Sequence, residues 1–364
     1  MDDQYTQRLE KIEAVLDTWL PEMLNAAWLE KVFGRAGAAG PEQAATALAA
    51  TLTRPGWDLV KRGGKRWRPL LMLLAAESVA AESGAEACLP LTPLIEFPHN
   101  ASLIHDDIED NSDERRGKPA VHLLYGIDTA LNGGSFLYFL PLACLQAWNG
   151  GSGAVRERIW TAWAAHMRSL HLGQAMDIAW HRDHASLPEL EQYDRMCRLK
   201  TGYLARLAAV LGVYCAAADN LPAKQRDALA DTFAAAAEQL GVGFQILDDV
   251  KNLDTGNPGK KRGDDIVEGK KSLPVLLYLH RYPEKRDFAA RCFAAAGLGG
   301  TQAPETEELI AALKGAGVLE EAQAKGQEYI RLSQQTFAAP VISGFTLRQE
   351  GQGLLAGLVE MLKR

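Results

Sequence analysis

The chain has 364 residues, of which 47% are hydrophobic and 23% are charged, and these fractions exclude the disordered and collagen-like classes of protein. The formal net charge of -7 provides no overall basic surface, so the composition does not favour nucleic acid or an anionic membrane as a partner. The five cysteines include no C-x-x-C pair and are odd in number, which favours buried thiols in a reducing compartment over a disulfide framework.

From the N-terminus onward, the hydrophobic pattern is helical almost throughout. Residues 1–10 show neither the basic nor the apolar region of a secretory signal, so we expect a cytoplasmic protein. Apolar residues recur at spacings of three and four, as in the segment 70–75, and Ala-rich segments such as 44–52 add helix propensity. The segment Ser186 to Glu189 resembles a capping box that opens the next helix. The sequence therefore predicts an all-α protein.

No segment of the sequence predicts a membrane span or a domain linker. The uncharged stretch 129–155 is interrupted by Asn132, Gly133 and Pro141 and lacks an apolar run of about 18 residues, so it predicts a buried helix instead. Breaks that contain Gly or Pro are short, and the composition does not shift between the two halves of the chain. We therefore expect a single domain over residues 1–364.

The first acidic cluster follows an apolar helical segment. Asp106, Asp107 and Asp110 stand at positions i, i+1 and i+4, so on a helix Asp106 and Asp110 share a face and Asp107 lies about 100° away. This spacing allows the three carboxylates to converge on one point. Pro98 lies within the same helix and is expected either to kink it or to remove one backbone hydrogen bond.

A second acidic cluster repeats this spacing. Asp248 and Asp249 end another apolar helical segment, and Asn252 supplies a third oxygen at i+4. Two like charges about 4 Å apart repel by about 4 kcal/mol at an effective dielectric constant of about 20, so each pair requires cations or protons. One Asp-Asp pair alone is more often a solvated helix end, but two clusters of the same layout favour a shared cavity that holds Mg²⁺ through hard oxygen ligands.

Cationic side chains accompany both clusters. Three cations follow a Gly-Gly step just before an apolar helix, two follow the first acidic cluster, and several lysines surround the second. The cations after the Gly-Gly step are Lys65, Arg66 and Arg68, and those after the first acidic cluster are Arg115 and Arg116. Such groups suit a diphosphate, although each one alone is more often an ordinary surface charge. The sequence contains no Walker A loop, zinc pattern or nucleophile motif.

The ordered motifs between Gly63 and Pro274 resemble those of the trans-isoprenyl diphosphate synthases, the polyprenyl synthetase family. The motifs are G-K-x-x-R-P at 64–69, D-D-x-x-D at 106–110, R-R-G-x-P at 115–119, G-Q-x-x-D at 173–177, K-T-G at 200–202, F-Q-x-x-D-D at 244–249, G-K-x-x-G-x-D at 259–265 and E-G-K at 268–270. The resemblance implies an all-α, isoprenoid-synthase-type helical bundle around a deep central cavity, usually homodimeric. It also implies a Mg²⁺-dependent prenyltransferase that condenses isopentenyl diphosphate head-to-tail with dimethylallyl, geranyl or farnesyl diphosphate.

The resemblance also implies roles for individual residues. Those implied to hold several Mg²⁺ ions on the allylic diphosphate, or to lie close by, are Asp106, Asp107, Asp110, Asp177, Asp248 and Asp249. Those implied to contact the same diphosphate are Arg115, Lys200 and Lys260. Those implied to clamp isopentenyl diphosphate are Lys65, Arg68, His99 and Arg116. Those implied to line the reaction site as candidate catalytic residues are Lys200, Thr201, Gln245 and Lys270.

Product length is implied by the two residues that stand five and four positions before Asp106. In the family, bulky aromatic side chains there stop elongation early, whereas this chain has Ala101 and Ser102. Small side chains leave room for a longer tail, so the resemblance favours a product of about C20 or longer.

Two other functions remain open at this stage. A class I terpene cyclase shares the fold and the ionisation of a diphosphate, but it needs no clamp for a second substrate, and its second metal motif differs from the sequence at 248–252. A non-catalytic regulatory subunit of a prenyl synthase usually loses one acidic cluster, whereas this chain keeps both.

Overall fold

The structure is a computed structural model that describes residues 3–38, 42–217, 220–256 and 261–363. Its elements are nearly all helices, which confirms the predicted all-α class. The α-helices are α1 (Asp3–Trp19), α2 (Ala26–Ala38), α3 (Glu42–Leu48), α4 (Arg54–Lys61), α5 (Trp67–Cys88), α6 (Pro93–Glu109), α7 (Val121–Tyr125), α8 (Ile127–Phe139), α9 (Pro141–Ala147), α10 (Gly153–Arg182), α11 (Leu190–Cys197), α12 (Tyr203–Ala217), α13 (Ala223–Asp254), α14 (Asp264–Val267), α15 (Leu273–Arg281), α16 (Arg286–Gly299), α17 (Pro304–Gly315), α18 (Val318–Phe337) and α19 (Gln349–Leu362).

Shorter elements connect these helices. Two π-helical turns cover Ala49–Thr53 and Arg198–Gly202. Strand β1 (Glu114–Arg115) pairs antiparallel with β2 (Lys118–Pro119), and β3 (Val341–Ile342) pairs with β4 (Phe345–Thr346).

The described chain divides into two compact units. Unit 1 consists of Met1–Trp163, Ala208–Ala230 and Ser343–Gln352, and unit 2 consists of Ala164–Leu207, Asp231–Ile342 and Gly353–Arg364. The single domain expected over residues 1–364 stays a prediction.

The core of unit 1 is built on α5. Residues 70–76 of this helix are at most 2% exposed, so the helix is apolar on all sides and surrounded by other helices. Helix α12 packs tightly against α5 at Gly212, where an added Cβ would lie 2.4 Å from the carbonyl oxygen of Met72. Only glycine allows the two backbones to come this close.

Pro98 lies inside α6, and the helix continues through it without a break. Because proline has no N–H, the carbonyl of Leu94, four residues earlier, loses its helical hydrogen bond. The indole N–H of Trp163, which is 5% exposed, donates to this carbonyl at 3.3 Å. The second expected consequence of Pro98, a lost backbone bond, is therefore confirmed, and a side chain from α10 replaces that bond.

The core of unit 2 includes an apolar cluster shared by α11, α13, α15 and α18. On α13 it contains Val242, Ile246 and Val250, which follow the four-residue spacing of one helix face. Helix α11 begins near the predicted position, but the predicted cap is wrong by three residues. The backbone N–H of Glu189 donates to the Gln192 side chain at 2.9 Å, so the capping box spans these two residues.

The prediction of one buried helix over 129–155 is wrong. Helix α8 ends at Phe139, which is 65% exposed, and α9 begins at Pro141, because proline begins a helix more readily than it continues one.

All five cysteines are free and buried, as predicted. Within the described ranges, no helix combines the length and the apolarity that crossing a membrane requires.

Candidate active site

The first acidic cluster lies at the C-terminal end of α6 in unit 1. Its central residue, Asp107, is fully buried, and Oδ1 of Asp107 accepts hydrogen bonds from Arg115 Nε at 2.9 Å and from Arg115 Nη2 at 2.5 Å. The same Nη2 lies 3.9 Å from Asp106 Oδ2. Arg115 reaches this position because β1 and β2 form a tight hairpin, whose turn places Arg116 and Gly117 at positive φ.

The donor atoms of this cluster suit a hard cation such as Mg²⁺. Oδ2 of Asp107 is buried without a hydrogen-bond partner, and Asp106 and Asp110 are partly exposed. However, no group of three or more His, Cys, Asp or Glu side chains in the described ranges has the arrangement of a metal site. Convergence of the three carboxylates on Mg²⁺ therefore stays a prediction.

The side chains implied to clamp isopentenyl diphosphate lie near one another in unit 1. Arg68 Nη1 lies 3.5 Å from His99 Nε2, and its guanidinium stacks over Trp67. Arg116 lies beside Gly64, whose added Cβ would be 3.2 Å from Arg116 Nη2. Lys65 is exposed in the same segment. Arg68, His99 and Arg116 therefore come together at the start of α5, the middle of α6 and the β1–β2 turn, and Lys65 lies in the segment just before α5.

Positive charge dominates around Lys65, Arg68, His99 and Arg116, which we call the cationic region of unit 1. Burial and the neighbouring arginines, led by Arg68 and Arg116, hold the pKa of His99 well below its usual value, so the imidazole is neutral near pH 7. Burial also lowers the pKa of Arg116 to about 10, and the neighbouring arginines add to this shift against the opposing charge of Glu96. The hydrogen bonds of Arg116 go to the Leu59 carbonyl and the Asn100 amide oxygen, neither of which is charged. A desolvated guanidinium with neutral partners suits a ligand that brings negative charge.

The second acidic cluster lies near the end of α13 in unit 2. Asp248 is exposed, whereas Asp249 is buried and accepts hydrogen bonds from Tyr193 Oη at 2.8 Å and from Gln245 Nε2 at 2.7 Å. Burial raises the pKa of the Asp249 carboxyl, and the charge of Asp265 adds to that shift.

The interpretation of Asn252 as a third oxygen ligand is wrong. Asn252 is 1% exposed, and both ends of its amide bind backbone. Its oxygen accepts from the Asp265 N–H at 3.2 Å, and its nitrogen donates to the Lys261 carbonyl at 3.4 Å. This residue therefore holds the loop before α14 against α13.

The π-helical turn at Arg198–Gly202 positions two of the candidate catalytic residues. Lys200 Nζ donates to Asp177 Oδ2 at 2.6 Å, and Thr201 Oγ1 donates to Gln245 Oε1 at 2.8 Å. Helix α10 packs against the turn at Gly173, where an added Cβ would lie 2.5 Å from the backbone nitrogen of Lys200. π-helical turns frequently occur at functional sites, because the extra residue redirects side chains.

These contacts form a continuous polar chain in unit 2. Thr201 donates to Gln245, Gln245 donates to Asp249, and Tyr193 closes the chain from the other side. Lys270 pairs with Glu268 at 2.5 Å. Burial lowers the pKa of His181; the charge of Asp177 opposes this shift, and the charge of Lys270 adds to it. Lys260 lies outside the described residues.

Three buried polar residues in the cationic region of unit 1 were not among the predicted site residues. They are Arg66, Glu96 and Asn100. Arg66 was noticed only as one cation among several. A signal for Glu96 and Asn100 existed, since they stand three residues before and one residue after His99 on an otherwise apolar helix.

Comparisons with known proteins give a consistent result. The family model described as polyprenyl synthetase matches residues 49–306. The short chain isoprenyl diphosphate synthase of Methanocaldococcus jannaschii is 34% identical over 258 residues, which are 70% of this chain and 74% of that protein. The geranylgeranyl pyrophosphate synthase of Rhodocybe pseudopiperita is 38% identical over 200 residues, so the match spans about half of each protein.

Solved structures share the fold. The geranylgeranyl pyrophosphate synthetase of Pyrococcus horikoshii superposes with a TM-score of 0.79 at 22% identity, covering 100% of this chain and 97% of that one. A geranylgeranyl pyrophosphate synthase of Corynebacterium glutamicum, complexed with isoprenyl diphosphate and magnesium, gives 0.78 at 24% identity, covering 98% of both chains. The solved structures confirm the expected isoprenoid-synthase-type helical fold, and the family model and the relatives confirm the expected prenyltransferase class. With its motifs spread in order across the matched region, this chain belongs to the polyprenyl synthetase family.

Proposed function

We propose that the chain joins isopentenyl diphosphate head-to-tail to an allylic diphosphate, with Mg²⁺, to give a trans-prenyl diphosphate of about C20 or longer. The observation that supports this most directly is the cationic region of unit 1, where Arg68, Arg116 and the neutral His99 lie together near the acidic end of α6. A terpene cyclase has no second diphosphate to bind there.

The first step breaks the bond between C1 and oxygen of the allylic diphosphate, and the electron pair leaves with the diphosphate. Bound Mg²⁺ supplies charge neutralisation on that leaving group, and the residues that would hold it are Asp106, Asp110 and Asp248. Arg115 and Lys200 donate hydrogen bonds to the departing oxygens. Asp107 and Asp177 orient these two cations through the contacts at 2.5 Å and 2.6 Å.

The second step forms a carbon–carbon bond. The double bond of isopentenyl diphosphate attacks C1 of the allylic cation, and a proton is then lost from C2 of the isopentenyl unit to the released diphosphate. Lys65, Arg68, His99 and Arg116 hold the isopentenyl diphosphate. Because His99 is neutral, its ring can donate or accept one hydrogen bond without adding to the positive charge.

Thr201, Gln245 and Lys270 line the reaction site, and all three belong to unit 2. Since the hydroxyl hydrogen of Thr201 donates to Gln245, the lone pairs of the Thr201 oxygen stay available to stabilise a nearby carbocation. Gln245 is in turn held by Asp249.

The direct test is product chromatography after the purified chain is incubated with isopentenyl diphosphate, Mg²⁺ and dimethylallyl, geranyl or farnesyl diphosphate in turn. We expect a prenyl diphosphate of about C20 that disappears when the divalent ions are chelated. Asp106→Asn should abolish the product, whereas the control Asp227→Asn, which removes a surface partner of Arg158, should not. Hydrocarbon formed without isopentenyl diphosphate would instead establish a cyclase, and a chain that is inactive alone but alters a partner synthase would establish a regulatory subunit.

We also propose that the chain forms a homodimer through α7 and the start of α8. Four apolar side chains there are 42% to 56% exposed, and they are Leu123, Leu124, Ile127 and Leu131. Exposed apolar residues concentrated in this way mark a protein interface. Sedimentation should show a dimer that Ile127→Glu converts to a monomer, and a wild-type monomer at micromolar concentration would contradict the proposal.

A further inference from the structure

The cationic region of unit 1 contains one buried carboxylate whose role the motifs do not explain. Glu96 lies on α6 and is 2% exposed. Its Oε1 accepts hydrogen bonds from Arg66 Nη1 at 2.8 Å and from Asn100 Nδ2 at 2.9 Å. Glu96 thus connects two polar partners that are far apart in sequence.

The first partner anchors the segment that carries Lys65 and Arg68. Arg66 is 4% exposed and lies at a positive φ of 45°, which is unfavourable for a residue with a side chain. Its guanidinium also donates to the Val60 carbonyl at 2.5 Å and to Glu13 at 2.6 Å. The buried contacts of Arg66 compensate the strain, so the residues on either side are presented in one conformation.

The second partner controls Arg116. Asn100 is fully buried, and its Nδ2 donates both to the carboxylate and to the backbone carbonyl of Glu96. With the nitrogen held in this way, the amide cannot flip, and its oxygen must face Arg116. That oxygen accepts from Arg116 Nη1 at 3.1 Å.

We propose that Glu96 and Asn100 are positioning residues for the isopentenyl diphosphate site, acting on Lys65 and Arg68 through Arg66 and on Arg116 through the Asn100 amide. The inference rests on the proposed function. Neither residue contacts the substrate. The Glu96 carboxylate positions both partners through its hydrogen bonds to Arg66 and Asn100. Because the neutral Asn100 amide contacts Arg116, no second carboxylate neutralises this guanidinium, and its charge remains available to bind the diphosphate.

The neutrality of Asn100 provides the sharpest test. Asn100→Asp keeps the size of the side chain but places a negative charge against Arg116 and a second one beside Glu96. We expect the KM for isopentenyl diphosphate to rise by about tenfold, the equivalent of one charge-assisted hydrogen bond, while kcat changes by less than about threefold and the KM for the allylic diphosphate stays constant. Asn100→Gln, which keeps the amide, should restore part of the affinity.

A second variant and a control separate positioning from a general loss of stability. Glu96→Gln removes the charge that Arg66 requires and should raise the same KM. The control is Glu77→Gln, at another buried carboxylate on α5, which accepts hydrogen bonds from Arg8 at 2.7 Å and 2.8 Å. This substitution should lower the melting temperature without changing either KM. If the Asn100 and Glu96 variants lower the melting temperature like the control but leave the KM for isopentenyl diphosphate unchanged, the proposal is overturned. A wild-type chain that does not use isopentenyl diphosphate would refute the proposed function itself, and that result is visible before any variant is made.

Discussion

Trp163→Phe should destabilise the protein specifically because Pro98 is present in α6. The substitution keeps an aromatic ring but removes the N–H that the Leu94 carbonyl accepts at 3.3 Å. Since Trp163 is 5% exposed, water cannot readily replace that donor. Leaving a buried carbonyl unpaired costs about 1–3 kcal/mol, and the smaller ring adds a separate packing loss.

A double-mutant cycle isolates the hydrogen bond from the packing loss. In a Pro98→Ala background, residue 98 regains an N–H that can donate to Leu94, so Trp163→Phe should then cost only the packing loss. We expect a coupling energy of about 1–2 kcal/mol from urea unfolding of the four proteins, monitored by circular dichroism. The same cost of Trp163→Phe in both backgrounds would refute the reasoning.

The remaining predictions concern product length, Asn252 and Lys271. Ala101→Tyr, at a buried position five residues before Asp106, should shorten the product seen by chromatography, and an unchanged length would show that Ala101 does not face the tail. Asn252→Asp removes the donor to the Lys261 carbonyl and adds a buried charge, so it should lower the unfolding free energy by about 2 kcal/mol. The Mg²⁺ concentration that turnover requires should not fall, and a lower requirement would restore the interpretation of this residue as a metal ligand. Burial lowers the pKa of Lys271 from 10.5 to about 8, so between these values the unfolded chain binds more protons than the folded one and wild-type stability rises with pH. The stability of Lys271→Met relative to wild type should therefore fall from pH 8 to pH 10, by up to about 1.4 kcal/mol per pH unit, and urea titrations that show a constant difference would contradict this.

The sequence was most informative where the chemistry depends on local spacing. The aspartates at i, i+1 and i+4 lie at the end of α6 as expected, and Thr201 and Gln245, which the resemblance places at one site, share a hydrogen bond. Helical periodicity determines which residues share a face, so such arrangements can be inferred from one element at a time.

What the sequence could not predict depends on partners from distant elements. Asn252 follows the acidic pair at the spacing of a ligand, yet its amide is used by backbone groups nine and thirteen residues further on. Glu96 binds Arg66 across 30 residues of sequence, and nothing in the spacing indicates that pair. A polar residue on an apolar helix face signals only that it needs a partner.

The π-helical turn between α11 and α12 has an evolutionary implication. A turn of this kind arises when a single residue is inserted into an α-helix, and the insertion rotates everything downstream by about 100°. Helix α11 ends where this step begins and α12 begins where it ends, so deleting a residue within 198–202 would return the step to regular α-helix and turn Thr201 and Lys200 to different faces. Descendants of this gene should therefore tolerate substitutions around the step far more readily than a change in its length.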